Sequence, residues 1–350
     1  MTTKATPATS SKSHPTNAGS GTVLDKSLTD PIQANLKSKG IAMGTFRVLV
    51  KKDQGPVPSL QDLTTWVKQQ MEKPDAQMTA LLNPAQWPAG VTPNIPFDYI
   101  PDGCYARAQM MIARIMKEQF PGQTYTGAKI FMMGDLSARN DSYFPQGVRW
   151  GWHVVPLVKV TDGNTTRLVA VDPSLDPNNP VMSPEDWAAK IDHSSPTDPA
   201  FASTPPNIDL VDDTVYYPLN GAAEPKQTFD KNTPSAIQTC ISYTQALLAM
   251  GKATPATAFA PPATAAMAAA TATAAEPPLA THHKVSSALA TVDPKTNVVH
   301  LHNSPTLAKA TPAQAATLAK LKGKPVHVWV SHQINPATGY HDIAKIAPAS

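Results

Sequence analysis

Short stretches of clear apolar periodicity alternate along this chain with long stretches that have none. Leu60, Leu63, Trp66 and Val67 recur at helical spacing and Pro74 lies just beyond, which predicts a helix over residues 60–68. A second helix is predicted from Cys104 to about Phe120. There Ala108, Met111, Ile112, Ile115 and Met116 share one face, and Pro121-Gly122 ends the pattern. Between the two, prolines 84, 88, 93, 96 and 101 predict an extended loop running into Cys104. The pattern then changes to β. Residues 128–133, 151–160 and 167–171 read as strands, the last two joined by a hairpin turn at Thr161-Asp162-Gly163-Asn164. Residues 46–50 are a shorter β-like run followed by Lys51 and Lys52. Residues 326–330 and 340–343 read as another hairpin around 335–339.

This pattern divides the chain into four parts. Residues 1–55 are expected to be a flexible leader that includes the β-like run at 46–50. Residues 56–250 form the main globular domain, 251–281 an Ala/Pro/Thr-rich linker, and 282–350 a small C-terminal module. The 36 prolines and the low charge content of 16% support the large share of loop and linker. A net charge of +3, with no basic run or stripe interleaved with aromatics, argues against nucleic acid as a partner. No segment is apolar enough to span a bilayer; the longest candidate, 258–275, is Ala, Thr and Pro with one Met and one Phe. The first residues lack the apolar core of a Sec signal. The expected state is a monomer, not associated with membrane.

The chain has only two cysteines, which cannot build a disulfide framework. Cys240 reads as a small buried apolar residue. Cys104 reads differently, because it opens a helix. Unsatisfied backbone N–H groups and the positive end of the helix dipole are expected there, and both favour thiolate and supply oxyanion donors. His153 lies near the start of one hairpin strand and Asp172 just past the end of its partner. Pairing 160 with 167 sets 174 opposite 153, so a small register change or bulge brings Asp172 to His153. A cysteine, a histidine and an aspartate so placed form a nucleophile, a general base and its orienting group. The candidate catalytic residues are therefore Cys104, His153 and Asp172, with no cofactor and no metal.

The residues around these three carry a resemblance. Pro96-Phe97-Asp98-Tyr99-Ile100-Pro101-Asp102-Gly103-Cys104-Tyr105-Ala106-Arg107-Ala108 resembles the nucleophile segment of the bacterial protein-glutaminases, the protein-glutamine deamidases. Trp150-Gly151-Trp152-His153-Val154-Val155-Pro156-Leu157-Val158 is similar to their histidine strand. Val171-Asp172-Pro173-Ser174-Leu175 is similar to their aspartate segment, and Val181-Met182-Ser183-Pro184-Glu185-Asp186-Trp187 to the helix start that follows. The resemblance implies an α+β fold with a papain/transglutaminase-like core, the nucleophile helix packed on an antiparallel sheet. It also implies hydrolysis of glutamine side-chain amides in proteins or peptides through a glutamyl thioester, releasing ammonia. Arg107 and Tyr105 belong to the motif, with structural and packing roles at least as expected as chemical ones. A transglutaminase or thiol protease on the same triad, or a non-catalytic secreted binding protein, are the competing readings.

The chain departs from the family pattern in lacking the disulfides and the Sec-type signal of its secreted members. That suggests the bacterial cytoplasm, or export by a non-Sec route into a target cell. The segment 124–149 reads as an unusually long loop bordering the cleft. The run 46–50 sits where family precursors carry an inhibitory pro-segment, so it is expected over or beside the cleft. Seven of the ten histidines fall in the last 70 residues. With no cysteine and few carboxylates near them, they read as polar β-surface residues rather than metal ligands.

Overall fold

A computed structural model describes residues 26–41, 46–49, 58–81, 93–115, 128–140, 144–193, 205–218, 229–250, 281–288, 290–301 and 303–349. Two six-stranded sheets organise them. The first contains β1 (Phe46–Leu49), β2 (Ala128–Asn140), β3 (Phe144–Asp162), β4 (Thr165–Val171), β5 (Val181–Met182) and β6 (Asn207–Asp212), in the order β1-β6-β2-β3-β4-β5. Only the β1–β6 pair is parallel; the others are antiparallel. The helices of this half are α1 (Lys26–Ser38), α2 (Leu60–Glu72), α3 (Ala76–Leu81), α4 (Cys104–Arg114), α5 (Pro184–Ala189) and α6 (Phe229–Ala249). The predicted α+β class with a mostly antiparallel sheet is what the chain adopts.

The helix predicted at 60–68 is α2. The Ser59 side chain accepts from the Asp62 N–H at 3.0 Å, which satisfies one of the first-turn donors. Its periodic residues Leu63, Trp66 and Val67 are buried, each worth about 1.5–3 kcal/mol in apolar burial. The helix predicted from Cys104 is α4, which packs against α6 and β3; its expected continuation to Phe120 lies outside the described residues. A buried ion pair fixes its far end. Arg114 Nε donates to Asp75 Oδ2 at 2.8 Å, while Asp75 Oδ1 accepts the Met78 N–H at 2.7 Å and so starts α3.

In three places the structure differs from the reading of the sequence. Part of the expected leader is folded. In α1, Thr29, Ile32 and Leu36 fall on one face and are buried, and Asn35 Nδ2 donates to Glu185 Oε1 of α5 at 2.9 Å. Residues 1–25 of the leader lie outside the described residues, as does the linker up to residue 280. Of the run at 46–50, Phe46–Leu49 form an edge strand of the first sheet. Its strand β1 supplies backbone partners to the free edge of β6, and β6 and β2 stand between it and β3. Most of the expected long loop at 124–149 is strand. β2 and β3 continue through it with register shifts between Met133 and Leu136 and between Ala138 and Asn140. The alternation Leu136, Ala138 and Phe144, Val148, Trp150 is buried, and the charges that disguised it, Asp135 and Arg149, pair with each other in the interior.

The C-terminal module is the second sheet. It contains β7 (His282–Ala288), β8 (Ala290–Val292), β9 (Val298–Leu301), β10 (Leu307–Lys309), β11 (Val326–Asn335) and β12 (Tyr340–Pro348), in the order β7-β11-β12-β10-β9-β8. One helix, α7 (Pro312–Lys320), starts with a reciprocal Thr311–Gln314 capping box. The predicted hairpin around 335–339 is β11–β12, with Asn335 paired to Tyr340. The module docks on the first half: the Gly151 N–H donates to the Pro305 carbonyl at 2.6 Å and the Arg149 N–H to His341 Nε2 at 3.1 Å. Among the described residues, no helix is long and apolar enough to cross a membrane.

Candidate active site

The chain enters α4 through a turn that only glycine fits. Gly103 has φ 78°, and a Cβ there would stand 2.5 Å from Cε2 of Tyr243 in α6. The Asp102 carboxylate accepts the Gly103 N–H, and Arg107 Nη1, one turn into the helix, donates back to the carbonyls of Tyr99 and of Asp102, the latter at 2.8 Å. Arg107 is buried and staples the loop to the helix. Cys104 follows as the first residue of α4.

His153 sits in β3 opposite Met132 of β2. Its ring is stacked between Trp150, at 4.5 Å between centroids, and Trp187 of α5, at 5.8 Å. The predicted pairing of 160 with 167 is observed, and the β3–β4 ladder keeps that register through Leu157 and Ala170 without a bulge. The strands then part. The Asp172 N–H turns to the Pro180 carbonyl at 2.8 Å, and its side chain spans the remaining gap, with His153 Nε2 at 2.8 Å from Asp172 Oδ2. Two further donors hold the carboxylate: Trp187 Nε1 to Oδ2 at 3.0 Å and the Leu175 N–H to Oδ1 at 3.2 Å. The role of Trp187 is not visible in the sequence: its segment reads as a helix start, and nothing local indicates that α5 folds back to place its indole N–H on Asp172.

Cys104, His153 and Asp172 line one small cavity together with Phe97, Arg107 and Ser174. It holds about 10 Å³, room for little more than one water. All three side chains are buried, with 3%, 1% and 3% of their surface exposed. His153 Nδ1, the nitrogen not facing Asp172, is buried with no hydrogen-bond partner. A larger cavity of about 370 Å³ lies between Trp152 and the module and shares none of these lining residues.

Burial decides the protonation of the thiol. It pushes Cys104 up to about 12, against the opposing pull of the Arg107 charge and a backbone hydrogen bond from Val154. The thiolate expected from the helix start is therefore not the resting form: desolvation outweighs the favourable donors. Burial also acts to raise the Asp172 carboxyl. The His153 charge and hydrogen bond, with Trp187 and Arg107, together outweigh it and hold the group below the ordinary carboxylate range. A depressed carboxyl contributes stability that is present above its unfolded pKa and is lost as pH falls through its folded one. Trp187→Phe removes one of the depressing donors. The acid limb of thermal stability is expected to move to higher pH, read from unfolding midpoints between pH 3 and 6; an unmoved limb would show that the indole N–H does not hold the carboxylate.

Three of the module's histidines are not surface residues. His283, His332 and His341 are buried against the first half, with 1%, 1% and 0% of their surface exposed. Their strand faces meet a partner sheet and loop rather than water. Among the described residues, no group of three or more His, Cys, Asp or Glu side chains is arranged to hold a metal ion.

Residues 68–191 match the protein-family model described as Glutaminase, a span that includes Cys104, His153 and Asp172. The resemblance to the protein-glutaminases holds. Solved structures give a more distant likeness. The crystal structure of a protein-glutaminase is 21% identical with TM-score 0.38, covering 54% of this chain and 89% of that one. An NMR structure of protein-glutaminase from Chryseobacterium proteolyticum gives the same values, 21% and 0.38. The A47Q2 mutant of a pro-protein-glutaminase is 20% identical with TM-score 0.40, covering 56% of this chain and 63% of that one. No curated protein matches the chain. The glutaminase-like span ends before the C-terminal module begins.

Proposed function

We propose that the chain hydrolyses glutamine side-chain amides in proteins or peptides, with Cys104 as nucleophile, His153 as general base and acid, and Asp172 as orienting group. The observation that carries this reading is the His153–Asp172 contact at 2.8 Å with the second imidazole nitrogen unpartnered in the cavity that Cys104 also lines. It fits the glutaminase match, which supports a side-chain amide as the bond attacked.

The chemistry follows from the protonation states. Cys104 rests as a thiol, so its proton passes to His153 Nδ1 as sulfur attacks the carboxamide carbon. Asp172 keeps the proton on Nε2 and offsets the imidazolium charge. When the tetrahedral intermediate collapses, His153 returns the proton to the leaving nitrogen. Ammonia departs, and a γ-glutamyl thioester remains on Sγ. Water, activated by the same imidazole, attacks the thioester; the carboxylate leaves and the thiol is restored. The backbone hydrogen bond from Val154 to Cys104 supports the sulfur as it takes on negative charge. A 10 Å³ cavity does not admit a carboxamide, so the described conformation is closed and substrate entry requires local opening.

The test uses the full chain and its Cys104→Ala variant with a glutamine-containing protein, with and without a primary amine, following ammonia and intact mass. Cys104-dependent ammonia with a gain of about one dalton per site is the expected result, since an amide NH₂ becomes OH. Incorporated amine would mean transglutamination, a cleaved backbone a protease, and an unaltered substrate a binding protein.

A further inference from the structure

The turn that aims Cys104 is held from outside the glutaminase-like span. Asp102, buried and two residues before the nucleophile, has its two carboxylate oxygens committed to different jobs. Oδ1 accepts the Gly103 N–H at the left-handed turn, and Oδ2 accepts from Ser304 Oγ at 2.7 Å, across 202 residues of sequence. Two residues on, Thr306 Oγ1 donates to the Pro101 carbonyl at 2.7 Å. The Tyr99 hydroxyl meets His332 Nδ1 at 2.7 Å, and the Tyr99 ring stacks at 4.3 Å on Tyr243, whose edge closes the space beside Gly103. The module thus bonds to Tyr99, Pro101 and Asp102 in turn. His283 Nε2 lies 3.5 Å from the same Asp102 oxygen.

These bonds are buried: Ser304 and Thr306 have 2% and 0% of their surface exposed. A buried carboxylate that loses a donor recovers it by moving, and the group free to move with Asp102 is the Gly103 turn. Any rotation there is passed to Cys104 at the next residue. We propose that the C-terminal module is a working part of the catalytic site, with Ser304 and Thr306 as positioning residues that fix the Pro101–Gly103 turn and through it the direction of Cys104. The proposal rests on Cys104 being the nucleophile of the function proposed above. It gives the module a role in the chemistry that its sequence leaves open.

The experiment compares full-length Ser304→Ala, Thr306→Val and the control Asn303→Ala, whose amide bonds the Ser286 carbonyl within the module. Two readouts are taken from each. One is kcat and KM for ammonia release. The other, made without substrate, is the pH dependence of Cys104 alkylation by iodoacetamide, read by peptide mass. Ser304→Ala and Thr306→Val are expected to lose about tenfold or more in kcat with KM within about twofold, and to shift the alkylation profile; the control does neither. An unshifted Cys104 profile in either folded variant overturns the proposal. A shifted profile with no ammonia from any form, wild type included, supports the positioning role and removes the glutaminase reading instead.

Discussion

Asp172→Asn is expected to lower kcat by on the order of 10³ to 10⁴ while leaving the fold in place. Asparagine keeps the shape of the side chain but not its hydrogen-bonding pattern. In the wild type the carboxylate accepts from Trp187 Nε1 and the Leu175 N–H and meets His153 Nε2, so the imidazole must carry its proton on Nε2. That leaves Nδ1 as a lone-pair acceptor on the side of the cavity shared with Cys104. Trp187 Nε1 and His153 Nε2 meet the same oxygen, Oδ2, and the Leu175 N–H meets Oδ1, so an asparagine amide cannot accept from all three. With its NH₂ at the Oδ2 position the imidazole proton moves to Nδ1, which can no longer take the thiol proton; with its oxygen there, the negative charge that offsets the imidazolium is still lost. With the thiol pushed up to about 12, no other route to thiolate is available near neutral pH. Steady-state ammonia release measures the loss; a kcat within tenfold of wild type would show that Asp172 does not set the tautomer.

The largest expected stability effect lies away from the site, at Asp75. Asp75→Ala is expected to lower the unfolding free energy by about 3–5 kcal/mol, because it leaves the Arg114 guanidinium buried without its carboxylate. The same change removes the acceptor for the Met78 N–H at the start of α3. Against a total stability of about 5–15 kcal/mol, that loss is enough to threaten folding at body temperature. The double change Asp75→Ala, Arg114→Met is expected to cost less than Asp75→Ala alone, since it removes the orphaned charge as well. Arg167–Asp162, with side chains 38% and 52% exposed, is the contrasting case: water competes for both partners, and the pair contributes about 0–1 kcal/mol. Urea denaturation of the variants decides the matter, and a single variant no less stable than the double one would show that the buried charge finds another partner.

What could be read in the sequence was what depends on local geometry. The Gly163 turn fixes the 160–167 register, and that register carries His153 to within a side chain of Asp172. The apolar face from Ala108 to Ile115 and the glycine before Cys104 set that cysteine at a helix start. The rest depends on contacts that no short window contains. An alternating strand pattern gives one face, but not whether water or another sheet covers it. His283, His332 and His341 read as surface for that reason, and they are buried. Charge misled in the same way. Lys129 in β2 is buried, with its ammonium on Gln109 Oε1 at 3.0 Å and on the carbonyls of Asp213 and Val215, and burial brings it down to about 7. Asp135 and Arg149 concealed two strands because their mutual pairing could not be seen from either one alone. The protonation of Cys104 departs from what its helix start suggests, because the helix terminus is a local feature and burial is not.

If Cys104 carries the glutamyl group, the mass of the protein changes during turnover. The full chain is mixed with a short glutamine peptide, quenched in acid within the first turnovers, and weighed intact. The expected species is heavier than the free protein by the peptide less about 17 Da, the ammonia lost, maps to Cys104 and is absent from Cys104→Ala. A peptide converted to glutamate with no adduct on Cys104, or with the adduct on another residue, would contradict it.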